Sequence, residues 1–217
     1  MNRRIFFVGT AAMPLLGGCF WDKHFDLSWE EEVALHDGQV IVVKLKHTYE
    51  RLHREFGRYT SAIPRDTEIS FDAGGTTGWV TQLFKGFHPM FLDKYEGAWY
   101  AVLYGDYYYR SRELPGQNWG ELEGPYGQWA IKLVEGKWLP ISMSNLPTSF
   151  QQPNMLILKG EYKEHASLNG RRITLHDKRA WLVKHPYDYG DIRLARPTRA
   201  SPKRPDSVLD MTKGDEK

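Results

Sequence analysis

The chain has a single cysteine, at position 19 of 217 residues. An internal disulfide is therefore excluded, and a stable domain must rest on its apolar core. Surplus charge is also missing: 29 Lys and Arg stand against 27 Asp and Glu, a formal charge of +2. The first 18 residues hold Arg3, Arg4 and no acid, so the 199 residues after them carry 27 bases and 27 acids. A neutral chain has no field to attract phosphate backbones, which argues against general nucleic-acid binding. No apolar run reaches the roughly 20 residues that a bilayer-spanning helix needs. The sequence lacks a Gly-x-Ser-x-Gly elbow and a His-Glu-x-x-His pair, the usual signatures of an α/β-hydrolase and a zinc peptidase. What it holds in quantity is apolar: 41% of residues are hydrophobic and eight are Trp. That suffices for one sizeable core in one domain.

The amino terminus has the clearest pattern. Arg3 and Arg4 precede an apolar run from Ile5 to Leu16, interrupted by Gly9, Thr10 and Pro14. A basic start, a short apolar middle and small residues describe a secretory signal. Its end, Leu16-Gly17-Gly18-Cys19, resembles the bacterial lipobox, in which a branched apolar residue and two small ones precede a cysteine. The resemblance implies that the Cys19 thiol takes a diacylglyceryl thioether and that cleavage between Gly18 and Cys19 exposes a new N-terminus for acylation. Two acyl chains anchor stably, at about 0.8 kcal/mol per buried methylene, and three would hold permanently. Phe20, not Asp, follows the cysteine. By the sorting rule the resemblance carries, this favours the outer membrane with the domain facing the periplasm; the inner membrane is the alternative.

Beyond the anchor, period-two patterning dominates. Trp29, Val33 and Leu35 alternate up to a His36-Asp37-Gly38 turn. Gln39 to Tyr49 follows, β-branched at Val40 to Val43, then with Leu45 and Tyr49 on one face and Lys44 and Lys46 on the other. This reads as a β-hairpin. Two more hairpins centre on Glu96-Gly97, between Met90–Lys94 and Trp99–Tyr104, and on Glu135-Gly136, between Gln128–Val134 and Trp138–Met143. Glycine suits the positive φ of such turns. Glu68–Phe71, Trp79–Phe84 and Met155–Leu158 are shorter strand candidates, with Gly74-Gly75-Thr76-Thr77-Gly78 as a hairpin or Ω-like loop between the first two. Thr174 with Asp177 resembles a capping box for one late helix ended by Pro186. The expected fold is mainly β, an antiparallel barrel or sandwich of about ten short strands with one late helix. A partial propeller-like repeat is the alternative, because the two Glu-Gly turns lie near a blade period apart. The expected division is a signal peptide at 1–18, anchor and tether at 19–28, a single mainly-β domain at 29–195 and a disordered tail at 196–217. The segments Trp29-Glu30-Glu31-Glu32-Val33, Asp37-Gly38, Asp66-Thr67-Glu68 and Phe71-Asp72-Ala73-Gly74 resemble a family of small proteobacterial proteins with no assigned activity, which implies none here.

Chemistry concentrates in a long loop. Residues 105–127 combine five Gly and two Pro with Tyr107, Tyr108, Tyr109, Trp119 and Tyr126. Beside Asp106, Arg110, Arg112, Gln117 and Asn118, exposed rings would stack on sugar faces or anchor a protein interface; turned inward, they would pin the loop to the core. The candidate binding surface is Tyr107, Tyr108, Tyr109, Arg110, Trp119 and Tyr126. Among eight histidines, His47 and His53 share an even spacing with Glu55 beyond, but Tyr49–Arg54 reads as a polar exit segment, so no metal ligand set is assigned. His36 reads as a solvated turn residue, and Glu30–Glu32 as a charged edge that discourages strand pairing. Ser142 and Ser144 have no histidine near them in sequence. Glu121 with Glu123, or Asp106 with Glu113, are the carboxylate pairs open to a glycosidase. No catalytic residue and no cofactor are assigned.

The reading that follows is a lipid-anchored envelope protein, a non-enzymatic module that binds another macromolecule. Alternatives are a glycan-binding or glycan-cleaving envelope protein using carboxylates near loop 105–127, and an anchored immunity protein against a toxin. The implied partners are the membrane, through Cys19, and an envelope protein or glycan, not nucleic acid.

Overall fold

A computed structural model describes residues 23–55, 58–105, 127–158, 165–184 and 194. Nine strands form among them: β1 His24–Ala34, β2 Val40–Glu55, β3 Arg58–Asp72, β4 Trp79–Lys85, β5 Phe87–Tyr95, β6 Ala98–Gly105, β7 Gln128–Val134, β8 Lys137–Ile141 and β9 Arg172–Ile173, followed by helix α1 at Leu175–Lys184. They make a five-stranded sheet in the order β4-β3-β2-β1-β9 and a four-stranded meander β5-β6-β7-β8. All neighbours are antiparallel except β1 and β9. The architecture is mainly β and sandwich-like, not a closed barrel. A propeller-like repeat does not hold: among the described residues one four-stranded meander forms, and the other sheet has five strands in a different order.

Alternation decides which side of each strand is buried. Leu27, Trp29 and Val33 of β1, Val43, Leu45 and Tyr49 of β2, and Ile69 and Phe71 of β3 enter one core with Leu92 of β5, Ala101 and Leu103 of β6, and Trp129 and Ile131 of β7. Phe71 meets Trp99 edge-on at 4.8 Å, and the Trp99 indole donates to the Ala73 carbonyl at 3.0 Å. The four-stranded sheet is buried on its second face too. There Phe91, Tyr100, Val102 and Ala130 are covered by Met143, Leu146, Phe150, Ile157 and Leu194. Burial on both faces explains why β5 and β6 read as nearly continuous apolar runs.

The turns follow their residues. Glu96 and Gly97 have φ of 49° and 78°, Glu135 and Gly136 50° and 76°, the doubly positive pattern of a two-residue hairpin whose twist matches the strands. The helix begins as its capping box implies: the Thr174 N–H donates to Asp177 Oδ2 at 2.9 Å, and the Asp177 N–H donates to Thr174 Oγ1 at 3.2 Å. Those bonds hold the Asp177 carboxyl below its usual range, with the Thr174 backbone N–H as the main cause.

Three expectations are corrected. First, β2 does not exit at Tyr49 but pairs with β3 as far as Glu55, and β1 starts at His24. These strands are long, not short. Second, Met155–Leu158 is no strand. All four residues are buried, but the segment takes single bonds from neighbours: the Met155 N–H donates to the Met90 carbonyl at 3.2 Å and the Leu156 N–H to Glu31 Oε1 at 2.7 Å. Third, Glu30–Glu32 is no repelling edge, since β1 lies inside the sheet between β2 and β9. Glu31 has no exposed surface.

That carboxylate joins three parts of the chain. Besides Leu156, Glu31 Oε1 receives Lys178 Nζ of α1 at 2.5 Å, and the ammonium also donates to the Asn154 carbonyl at 2.6 Å. Burial pushes the Lys178 pKa down, opposed by the Glu31 charge. Asn154 extends the staple, donating to the Ala34 and Leu92 carbonyls and accepting from the Leu92 N–H. Breaking a buried pair by removing one partner leaves a charge without compensation. Glu31→Ala should therefore cost about 3 to 5 kcal/mol of unfolding free energy in urea titration, and adding Lys178→Met on that background should recover part of it.

Candidate functional site

The two faces of the five-stranded sheet carry different chemistry on the same strands. Outward positions form a polar lattice in which Glu30 stands opposite Lys44, Lys46 opposite Glu68, Ser28 opposite Lys46 and Ser70 opposite Lys44. Arg171 and Arg172, at and just before β9, close one side. Together these residues line an open cavity of about 520 Å³. Its walls are tied by ion pairs, Lys46 to Asp26 at 2.9 Å and Arg172 to Glu32 at 3.1 Å. On the β4 side, Trp79 is 61% exposed, with Lys44 Nζ 5.4 Å from its ring centroid, and the Ser70 and Thr81 hydroxyls are hydrogen-bonded at 2.9 Å. An exposed Trp beside hydroxyls and charges of both signs offers a stacking surface and directional hydrogen bonds.

The inward positions of those strands hold a buried cluster of titratable groups. The His47 ring lies between Trp29, at 4.7 Å, and His88, stacked at 5.3 Å. Thr67 Oγ1 is 2.6 Å from His88 Nδ1 and 3.4 Å from His47 Nε2. Tyr49 Oη is 2.8 Å from His165 Nδ1, and the Tyr104 ring is 5.3 Å from His88. The backbone turn between β4 and β5 makes this possible. Gly86, at φ 69°, donates its N–H to the Arg65 carbonyl at 3.0 Å, fixing the start of β5 beside β3, where His88 meets Thr67.

One hydroxyl hydrogen serves only one of the two imidazoles, so the other ring must donate to Thr67, which fixes both tautomers relative to each other. His47 Nδ1 and His88 Nε2 are buried without a hydrogen-bond partner. Burial pushes the His47 pKa well below its ordinary value, helped by His88 and His165, and the His88 pKa to about 4, helped by His165. The rings are neutral at pH 7. Among the described residues no group of three or more His, Cys, Asp or Glu is placed to hold a metal ion.

The residues singled out from sequence fare differently. Gly18, Cys19, Tyr107, Tyr108, Tyr109, Arg110, Trp119 and Tyr126 lie outside the described residues, as do Asp106, Glu113, Glu121, Glu123 and the 196–217 tail. His36 is not simply solvated. Its backbone N–H and Nδ1 meet the two carboxylate oxygens of buried Asp93 at 2.8 and 2.9 Å, and its ring packs on Tyr95 and Phe150. Ser142 caps a short 3-10 turn at Met143–Asn145. The sequence reading missed His88 and His165, gave Thr67 no role and took Glu31 for an edge charge. Alternation alone places His47 with Leu45 and Tyr49, and Thr67 with Ile69 and Phe71, on the buried side, a signal that was there to find.

Three comparisons with known proteins, against family models, curated proteins and solved structures, return no match.

The buried histidines make stability depend on pH. Their folded-state pKa values lie below the ordinary 6.5, so between pH 6.5 and about 4 the unfolded chain binds protons that the native cluster refuses. Their contribution is complete above pH 6.5 and is lost as pH falls through that window, at about 1.4 kcal/mol per pH unit for each histidine. Urea midpoints should fall steadily from pH 7 to pH 4.5, and His88→Asn should flatten that slope.

Proposed function

We propose that this chain is a lipid-anchored cell-envelope protein, tethered through Cys19, and that its β-sandwich is a non-enzymatic module binding another macromolecule on the outer face of the five-stranded sheet. The observation that carries the reading is that face itself: an open cavity lined by Ser28, Glu30, Lys44, Lys46, Glu68 and Arg172, with Trp79 exposed beside Lys44. Charges of both signs at fixed spacing select a partner by complementarity more than they add raw affinity. An exposed Trp next to such a lattice is the residue type that most often carries interface energy. The lipobox-like Leu16-Gly17-Gly18-Cys19 supports the anchor, and Phe20 after it supports the outer membrane with the domain facing the periplasm. His47, His88, His165 and the Glu31–Lys178 pair are buried within the domain and offer a partner no surface.

A second reading, glycan binding, draws on one specific observation. Trp79 lies two residues along β4 from Thr81, whose hydroxyl bonds that of Ser70 on the neighbouring strand, an arrangement suited to stacking one sugar ring while bonding its hydroxyls.

The anchor is tested by growing cells with a fatty-acid analogue that can be tagged. The wild-type chain should take the label and Cys19→Ser should not; an unlabelled wild type or a labelled variant rejects the anchor. The face is tested by combining Trp79→Ala with Lys44→Glu. Surface changes of this kind shift stability by only about 0.5 kcal/mol, so the melting temperature should hold while capture of a partner from envelope extract is lost. Undiminished capture would remove this face from consideration.

A further inference from the structure

A strand at the rim of a sheet leaves half of its backbone donors and acceptors outside the ladder, and stable proteins cover or blunt such rims. The rims formed by β1, β5 and β8 are managed among the described residues. Beside β1 lie β9 and the turn before it, where the Ser28 N–H donates to Asn169 Oδ1 at 2.8 Å and its carbonyl accepts from the Gly170 N–H at 2.7 Å. Along β5 runs the segment that bonds Met90 and Leu92 through Met155 and Asn154. β8 carries Pro140, which has no N–H to offer a further strand. β4, the remaining rim, has neither a proline nor a covering segment among the described residues.

The ladder tells which groups of β4 are free. The Ala73 N–H donates to the Gly78 carbonyl and the Gly86 N–H to the Arg65 carbonyl. Alternation then turns the backbone of Val80, Gln82 and Phe84 toward β3 and points the N–H and C=O of Trp79, Thr81, Leu83 and Lys85 away from the sheet. The Gln82 amide occupies one lone pair of the Leu83 carbonyl at 2.7 Å and leaves the other. The side chains of the same four residues lie on the outer face, all exposed, with Leu83 at 43% second to Trp79. Val80 and Phe84, on the inner face, belong to the core and fix the strand in place.

We propose that β4 pairs antiparallel with β4 of a second copy of this chain, about a two-fold axis at Thr81. Complementarity of the strand with itself selects this occupant and this register. Each Thr81 faces the other, each Trp79 faces Leu83 of the second copy, and Lys85, the one charged residue of the strand, falls opposite Thr77 beyond the strand's start. Apolar pairs and Thr–Thr pairs are cross-strand contacts that stabilise a ladder, whereas sliding by two residues separates the apolar side chains. The charges agree with it. Neither Lys44 nor Glu68 has an ion pair within its own chain among the described residues. Lys44 Nζ lies over Trp79, and Glu68 stands opposite Leu83, so seating Trp79 against Leu83 of the second copy directs each Lys44 toward the second copy's Glu68. The pairing goes beyond the macromolecule-binding reading and stands without it. Its consequence is that two open cavities share one continuous outer face.

The test uses the full chain as cells make it, with Cys19 in place. Directly opposed residues of such a pair have Cα atoms about 5.5 Å apart, within reach of a disulfide. Under mild oxidation Thr81→Cys should form a covalent dimer, while the wild type and Lys85→Cys should not. In sedimentation of the purified chain, the wild type should show a dimer as concentration rises. Thr81→Lys, which sets two ammonium groups across the axis, should abolish that dimer and leave the melting temperature unchanged. A wild type that stays monomeric at its highest soluble concentration overturns the pairing, and so does a dimer that Thr81→Lys leaves intact. Cross-linking of Thr81→Cys no greater than that of Lys85→Cys overturns it as well. Capture by Thr81→Cys of a different protein in place of its own copy assigns the rim to another partner and overturns the self-pairing.

Discussion

A carboxylate shut away from water sets the terms on which the two ends of this chain meet. Glu31 lies on an interior strand with no exposed surface, and an isolated buried charge is far too costly to persist. It persists because the Leu156 N–H and the Lys178 ammonium converge on the same oxygen. Their arrival brings the 154–158 segment against β5 and α1 against β1 and β9. Apolar residues of similar volume would pack without this dependence; the ionic pair instead specifies which late segment belongs over which early strand.

Much of the fold was legible because strands and turns have local causes. The period of two located β1 and β2, the Glu-Gly dipeptides marked both hairpins of the smaller sheet, and Thr174 with Asp177 marked the helix start. The failures have a common physical origin. Alternation says which residues share a face, but a polar residue on the buried face looks the same in sequence as one on the exposed face. Glu31 thus read as an edge charge and His36 as a solvated turn. Met155–Leu158 is apolar because it is buried, and its backbone partners, Met90 and the Glu31 side chain, are remote in sequence. His88 and His165 gave no signal, since only the turn at Gly86 and the contact with Tyr49 bring them to Thr67 and His47.

The same three strands serve two purposes by pointing successive residues opposite ways. Ser28 and Glu30 flank Trp29, Lys46 flanks His47, and Glu68 flanks Thr67. The floor of the open cavity is therefore the roof of the histidine cluster. A change that shifts the packing of His47 moves the backbone that carries Lys46, so the geometry of the outer face and the proton affinity beneath it share one structural element.

The distance along the chain between Glu31 and its partners also orders events in time. Leu156 lies 125 residues further on, and Lys178 further still. A chain emerging amino end first from a ribosome or a translocation pore presents β1 long before the groups that neutralise its carboxylate exist outside. Until then the residue remains ionised in water, β1 has reason to stay hydrated at that point, and the outer side of the β5–β6–β7 meander is bare of Met143 to Ile157. Closure is thereby deferred to the last third of the polypeptide, and any truncation ahead of Lys178 leaves a product without a closed interior.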